Sequence, residues 1–188
     1  MPMIRETIVT TLSADGVVHI APFGLIEEEG GWIIAPFRPS TTLDNLLARP
    51  ALVANHTDDV RIFAGCLTGR RTWPYVSLRG GGPPRLAAAL AHEELAVMRI
   101  EQDEQRPRFH CRVLHRETHA PFRGFNRAQA AVIEAAILVS RLRFLPRDKV
   151  NRELAYLEIA IGKTAGDDER EAWSWLMEIV HESRSITT

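Results

Sequence analysis

"PFRPSTTLDNLLARP", residues 36–50, sets an arginine, three consecutive hydroxyl side chains and a short helical run ahead of a closing proline. Ser40 or Thr41 is placed to cap a helix over roughly 42–48, and Arg49, pushed out of the helical region by Pro50, ends it. A helix N-terminus presents unpaired N–H groups and the positive end of the macrodipole. With Arg38 and the spare hydroxyls of Ser40, Thr41 and Thr42 beside it, the stretch holds the inventory of a phosphate site. The same residues also make an ordinary cap, in which one hydroxyl holds the helix, Asp44 reaches back to the cap and Arg38 is solvated.

The flanking sequence is β-rich. "IRETIVTTL" (4–12) and "VVHIAPFGLI" (17–26) are β-branched runs joined through Asp15-Gly16, a pair suited to a tight hairpin. "WIIAPF" (32–37) runs directly into the hydroxyl-rich turn, and "ALVANHT" (51–57) leaves it as a buried strand. Residues 94–101 and 109–116 form an antiparallel pair around "DEQRP". From residue 126 the period becomes helical. Asn126 and Gln129 have capping-box spacing, Pro146 interrupts, and further helices run through "DKVNRELAYLEIAIGKT" and "DDEREAWSWLMEIVHES". The expected fold class is β-rich α+β, with a β body over 1–125 and a helical subdomain over 126–188.

Bulk properties narrow the partners. A chain of 188 residues with 45% hydrophobic and 25% charged content is an ordinary globular protein of one domain or slightly more. A net charge of -1 and a pI near 6.7 supply no field to gather nucleic acid or an anionic membrane. Two cysteines without CxxC spacing fit a reducing cytoplasm. The N-terminus has no signal-peptide pattern, and the longest apolar stretch, "AQAAVIEAAILVS", is broken by Glu134, so neither export nor a membrane span is expected. The partner is a small molecule or another protein.

Other chemistry-bearing strings read more plainly. In "HCRVLHRETH" strand alternation sends His110 and His115 to opposite faces, leaving Cys111 with His115, too few ligands for zinc, so no metal site is expected. "RGGGPPR" (79–85) has neither P-loop nor dinucleotide spacing. It reads as a flexible loop or lid, and any nicotinamide donor would bind transiently. Trp73-Pro74-Tyr75 serves either ligand stacking or packing, and Cys66 reads as a buried hydrophobe. Arg141, Arg143, Arg147, Lys149 and Arg152 form a basic run about Pro146, read as a solvated face.

The succession "DGxxHxAPxG", strand, "TLxNL", strand ending in Asn55 resembles the FMN-binding split-barrel superfamily of flavin reductases and pyridoxamine phosphate oxidases. More closely, "IRETIVTTLSADGVVHIAPFGL", "PFRPSTTLDNLLARPALVANHTDDVRIFA" and "FLPRDKVNRELAYLEIAIGKTAG" are similar to the family called domain of unknown function 447, across nearly the whole chain. The resemblance implies a split β-barrel with a C-terminal helical tail, a homodimer, FMN as cofactor and a link to methanopterin-dependent one-carbon metabolism. It implies that Arg38, Ser40, Thr41, Thr42 and Asn45 receive the phosphate and ribityl chain. Ala21, Pro22, Phe23 and Gly24 then lie beside the isoalloxazine, with Asn55 and the Thr57–Asp59 corner as outer contacts. Pro22 and Gly24 also break the β-branched character of their strand, which suits a bulge or a close backbone approach to a planar ligand. The expected function is a flavin-dependent oxidoreductase or flavin reductase-like protein, using a small-molecule substrate or nicotinamide donor, with no catalytic side chain announced. The alternative is a non-catalytic carrier or assembly protein, holding FMN, a deazaflavin or haem.

Overall fold

In the computed structural model, which describes residues 2–185, residues 2–57 turn almost wholly into antiparallel sheet and one short helix. Strands β1 (Ile4–Leu12) and β2 (Val18–Glu28) pair in unbroken register from Ile4 opposite Ile26 to Leu12 opposite Val18. Their turn is closed by Gly16 N–H donating to the Ser13 carbonyl, and Gly16 takes φ +81°, the left-handed conformation that glycine enters without steric cost. Strand β3 (Gly31–Ile34) pairs with a later strand over Phe109–Arg112, so close at Gly31 that a Cβ there would lie 1.8 Å from the Cys111 carbonyl oxygen.

Helix α1 (Thr41–Ala48) follows, then β4 (Ala51–His56), helix α2 (Val60–Leu67) and the short strands β5 (Tyr75–Val76) and β6 (Arg85–Leu86), which form a two-stranded ribbon. The long hairpin of β7 (Ala91–Glu101) and β8 (Arg108–Thr118) completes a closed barrel in the order β1-β2-β3-β8-β7-β4. Its core gathers Val9, Leu25, Ile34, Leu52, Leu95 and Phe109, with Leu43 and Leu46 of α1 packed among them. The apolar positions of α1 thus cover the barrel core, while Arg38 N–H donates to the Gln105 carbonyl and Arg49 reaches the Ala14 carbonyl.

The chain divides into two compact units, but not by a single cut near residue 125. Asp58–Arg71 groups with the chain from Arg123 onward, while the barrel unit comprises residues up to Thr57 and Thr72–Phe122. Helix α2, unread in the sequence, is the reason. Asp59 caps it by accepting from Arg61 N–H, and Val60 and Ala64 join the apolar core of the helical unit. That core is made by α3 (Arg127–Ser140), α4 (Arg147–Thr164) and α5 (Asp167–Ser185), through Ala128, Val132, Leu154, Trp173 and Leu176 among others. Asn126 caps α3 as its type suggests, yet Gln129 does not complete a capping box: its side chain donates to Glu169 instead.

Candidate functional site

Ser40, not Thr41, is the N-cap of α1, its Oγ accepting from Leu43 N–H. That leaves the amides of Thr41 and Thr42 as the open donors of the first turn among the described residues, since the first turn of a helix has no internal acceptors for them. Thr41 is exposed and Thr42 buried. Arg38, two residues ahead of the cap, is exposed; its guanidinium makes one long hydrogen bond, 3.4 Å, to Gln102 Oε1, and among the described residues it has no ion pair. It shares an open groove with Gln102, Asp103 and Glu104. The Arg106 and Gln105 backbone amides hold the Asp103 carboxyl below its ordinary value, with the Arg38 charge adding to the effect. A cation and a helix N-terminus therefore face solvent together, with two carboxylates as neighbours.

Asn45 projects from the buried side of α1 and donates to Thr11 Oγ1 at 2.9 Å. Thr11 is the register partner of His19, so this bond ties the helix to the strand pair that carries "HIAPFG". Along β2, Ala21, Pro22, Phe23 and Gly24 are all half-buried. Of the two expectations for Pro22 and Gly24, a bulge or a close backbone approach to a planar ligand, the unbroken register with β1 removes the bulge. The strand is instead open on one side. Of β2, only Ile26, Glu27 and Glu28 pair with β3, so Ala21–Leu25 have β1 on one flank and, among the described residues, no strand on the other. Proline lacks an N–H and belongs at such an edge. Gly24 meets side chains of β1: an added Cβ would lie 2.8 Å from Ile4 Cγ2 and 3.4 Å from Glu6 Oε1.

Asn55 serves the barrel. It is fully buried; its Nδ2 donates to the Ile8 carbonyl at 3.0 Å, and its Oδ1 accepts from Leu86 N–H at 2.7 Å. Its amide is thus committed to pinning β4, β1 and β6 together. The Thr57–Asp59 corner is likewise engaged, with Thr57 Oγ1 on the Ala88 carbonyl and Asp59 capping α2 while paired with Arg61 at 2.8 Å. The "RGGGPPR" stretch is no free lid at its second half. Pro83 and Pro84 are buried, and Thr10 Oγ1 donates to the Pro84 carbonyl.

Two polar clusters escaped the sequence reading. Glu93, buried in the barrel unit, accepts from the Trp32 indole N–H and pairs with Arg116 at 2.6 Å; His56 lies beside Trp32, ring centroids 6.5 Å apart. Burial, the largest influence, lowers the His56 pKa from its ordinary value of 6.5, against the opposing pull of Glu93. The second cluster is His92, Glu117 and His119, whose ligand atoms lie within 4.8 Å of one another. Alternation along one strand could not reveal it, because β7 begins at Ala91, three residues earlier than expected, and sets His92 directly opposite Glu117. Cys111 is a core residue whose thiol burial pushes up to about 12, which keeps it protonated and unreactive. In the helical unit, Arg143, Arg147 and Arg184 rim a cavity floored by Leu142, Val150 and Ile179. Among the described residues no helix is long and apolar enough to cross a membrane.

A closed antiparallel barrel with one partly open strand and a hydroxyl-rich helix turn defines a split-barrel fold. The chain belongs to the family described as protein of unknown function DUF447, whose N-terminal domain profile matches residues 5–120 and whose second profile matches residues 126–178. An FMN-bound DUF447 protein from Methanosarcina mazei is similar at 21% identity, over 95% of this chain and 96% of that one, with TM-score 0.81. The 2-nitrobenzoate 2-nitroreductase of Pseudomonas fluorescens superposes at TM-score 0.52 and 20% identity, over 63% of this chain and 66% of that one. The NADH:FAD oxidoreductase of Streptomyces globisporus does so at 0.51 and 17%, over 61% and 75%. By sequence no curated protein matches the chain.

Proposed function

We propose that this protein binds FMN and acts as a flavin-dependent oxidoreductase of the flavin-reductase kind, working as a homodimer. The observation that carries the reading is the pairing, in one barrel unit, of an exposed cation at a helix N-terminus with a strand open along Ala21–Leu25. A phosphate needs the first, and the edge of a planar ring needs the second. The solved relative that spans nearly the whole chain is described as FMN-bound, which supports the choice of ligand.

In this reading Arg38, the Ser40 and Thr41 hydroxyls and the amides of Thr41 and Thr42 receive the phosphate. Thr42 and Asn45 hold α1 in place from its buried side, Asn45 through Thr11. The half-buried run Ala21, Pro22, Phe23 and Gly24 flanks the ring, excluding water from one side and offering backbone groups at its edge. Asn55 acts one layer behind, fixing β1 and β4 beneath that surface. Bound FMN would supply hydride transfer; the chain's residues bind and orient it. Closing the open strand edge against a second copy is the physical motive for the dimer. Light scattering should accordingly report about twice the 21.1 kDa of one chain. A substrate from methanopterin-linked one-carbon metabolism rests on the family resemblance.

The test is the absorption spectrum of the purified protein, with FMN added back, followed by anaerobic addition of NADH or NADPH. A yellow protein that either nicotinamide bleaches supports the proposal. A flavin that neither donor reduces favours the carrier reading, and a chain that takes up no FMN refutes both.

A further inference from the structure

The His92, Glu117 and His119 cluster lies in the barrel unit and has no part in the flavin reading. We propose that it is a binding site for a divalent first-row transition-metal ion such as Zn2+. His92 Nδ1 and His119 Nε2 stand 2.8 Å apart, with the two rings stacked at 8° and centroids 5.0 Å apart. Glu117, the register partner of His92, is exposed and brings a carboxylate to the same side. Two imidazoles and one carboxylate are the donor set of a three-ligand site whose remaining positions are filled from solvent.

The second observation is the state of His92 itself. Its side chain is fully buried, and its Nε2 is a buried polar atom without a hydrogen-bond partner among the described residues. With the rings bonded only to each other, the two nitrogens share one proton. His92 Nε2 is then either a bare lone pair in a dry site or an N–H whose facing carboxylate, Glu94 Oε1, stands 3.8 Å away. Both are costly. A cation held by Nδ1 removes the ambiguity: the tautomer is fixed with its proton on Nε2, aimed at Glu94. That is the carboxylate–histidine–metal arrangement found around protein-bound metals. Binding asks the two rings, whose nitrogens now point at each other, to part and to tilt toward a common point. With metal–nitrogen distances of about 2.0–2.1 Å, tetrahedral binding needs the two nitrogens about 3.3 Å apart, so the rings part by roughly half an ångström and each swings by roughly 35°. His119 lies just beyond the end of β8 and is partly exposed; its backbone N–H is held by the Leu90 carbonyl at 2.7 Å, so the adjustment falls on its side chain.

The experiment uses the full chain, stripped with a chelator and dialysed, then titrated with Zn2+ by calorimetry, with metal content counted after gel filtration. Wild type should retain one Zn2+ per chain and, loaded with Co2+ instead, show the visible absorption of nitrogen and oxygen coordination. Glu117→Gln, at an exposed position that leaves packing intact, should weaken Zn2+ at least tenfold, and His119→Ala at least a hundredfold. His181→Ala, an exposed histidine on α5 among the seven of the chain, should change nothing. No retained Zn2+ in wild type, or equal affinity in all four proteins, overturns the site. The readout is metal content, so it stands or falls independently of flavin binding.

Discussion

Replacing Arg38 by alanine tests whether the helix turn holds a phosphate. A charge-assisted hydrogen bond is worth about 1.5–3 kcal/mol. Arg38 is exposed and its present bond to Gln102 is long, so it gives up little in changing partners, while solvent screening trims the gain to about 1–2 kcal/mol. Arg38→Ala should therefore weaken FMN about five- to thirtyfold. Riboflavin carries the same ring and ribityl chain without the phosphate, so its affinity should hold. Fluorescence-quenching titrations of both flavins into both proteins separate the outcomes. A variant with a damaged fold loses both ligands, and a turn that only caps α1 loses neither. Equal weakening of FMN and riboflavin refutes the phosphate assignment. The neighbouring carboxylate adds a check of sign: Asp103 shares the groove with Arg38, so Asp103→Asn should tighten FMN and leave riboflavin unchanged.

Two further outcomes concern stability. Asn55→Ala strands the Ile8 carbonyl and the Leu86 N–H in a buried layer and should cost about 2–4 kcal/mol in urea unfolding, weakening FMN and riboflavin alike; an unshifted midpoint would deny Asn55 its bracing role. His56 has its pKa depressed in the folded state, so the unfolded chain binds the proton first, and stability present above pH 6.5 is lost as pH falls below it. One such proton gives a slope of at most about 1.4 kcal/mol per pH unit; His56→Asn should flatten the decline between pH 6.5 and the folded pKa, with His92, lowered chiefly by burial, keeping a share, and an unchanged slope would place the proton elsewhere.

Local signals determined much of this protein by themselves. Hairpin β1–β2 follows from alternating β-branched residues about a glycine that must adopt positive φ, α1 from a hydroxyl cap and a closing proline, and α3 from Asn126 at the change of period. Those signals act over a few residues, and the hydroxyl-rich turn was legible for the same reason. Features that depend on distant partners were not. Nothing within "DDVRIFAGCL" says that α2 leaves the barrel unit to complete a helical core with residues of α3 and α5. Asn55 reads as a ligand contact until the fold brings the Ile8 carbonyl and Leu86 amide to its amide group. The open flank of β2 exists because β3 is too short to pair beyond Ile26, a matter of register between strands. His92 and His119 stand 27 positions apart and meet only because β7 and β8 extend as far as they do. Sequence fixes what each segment prefers at short range; which polar groups face one another in a dry interior is decided by strand register and packing, which only the tertiary structure supplies.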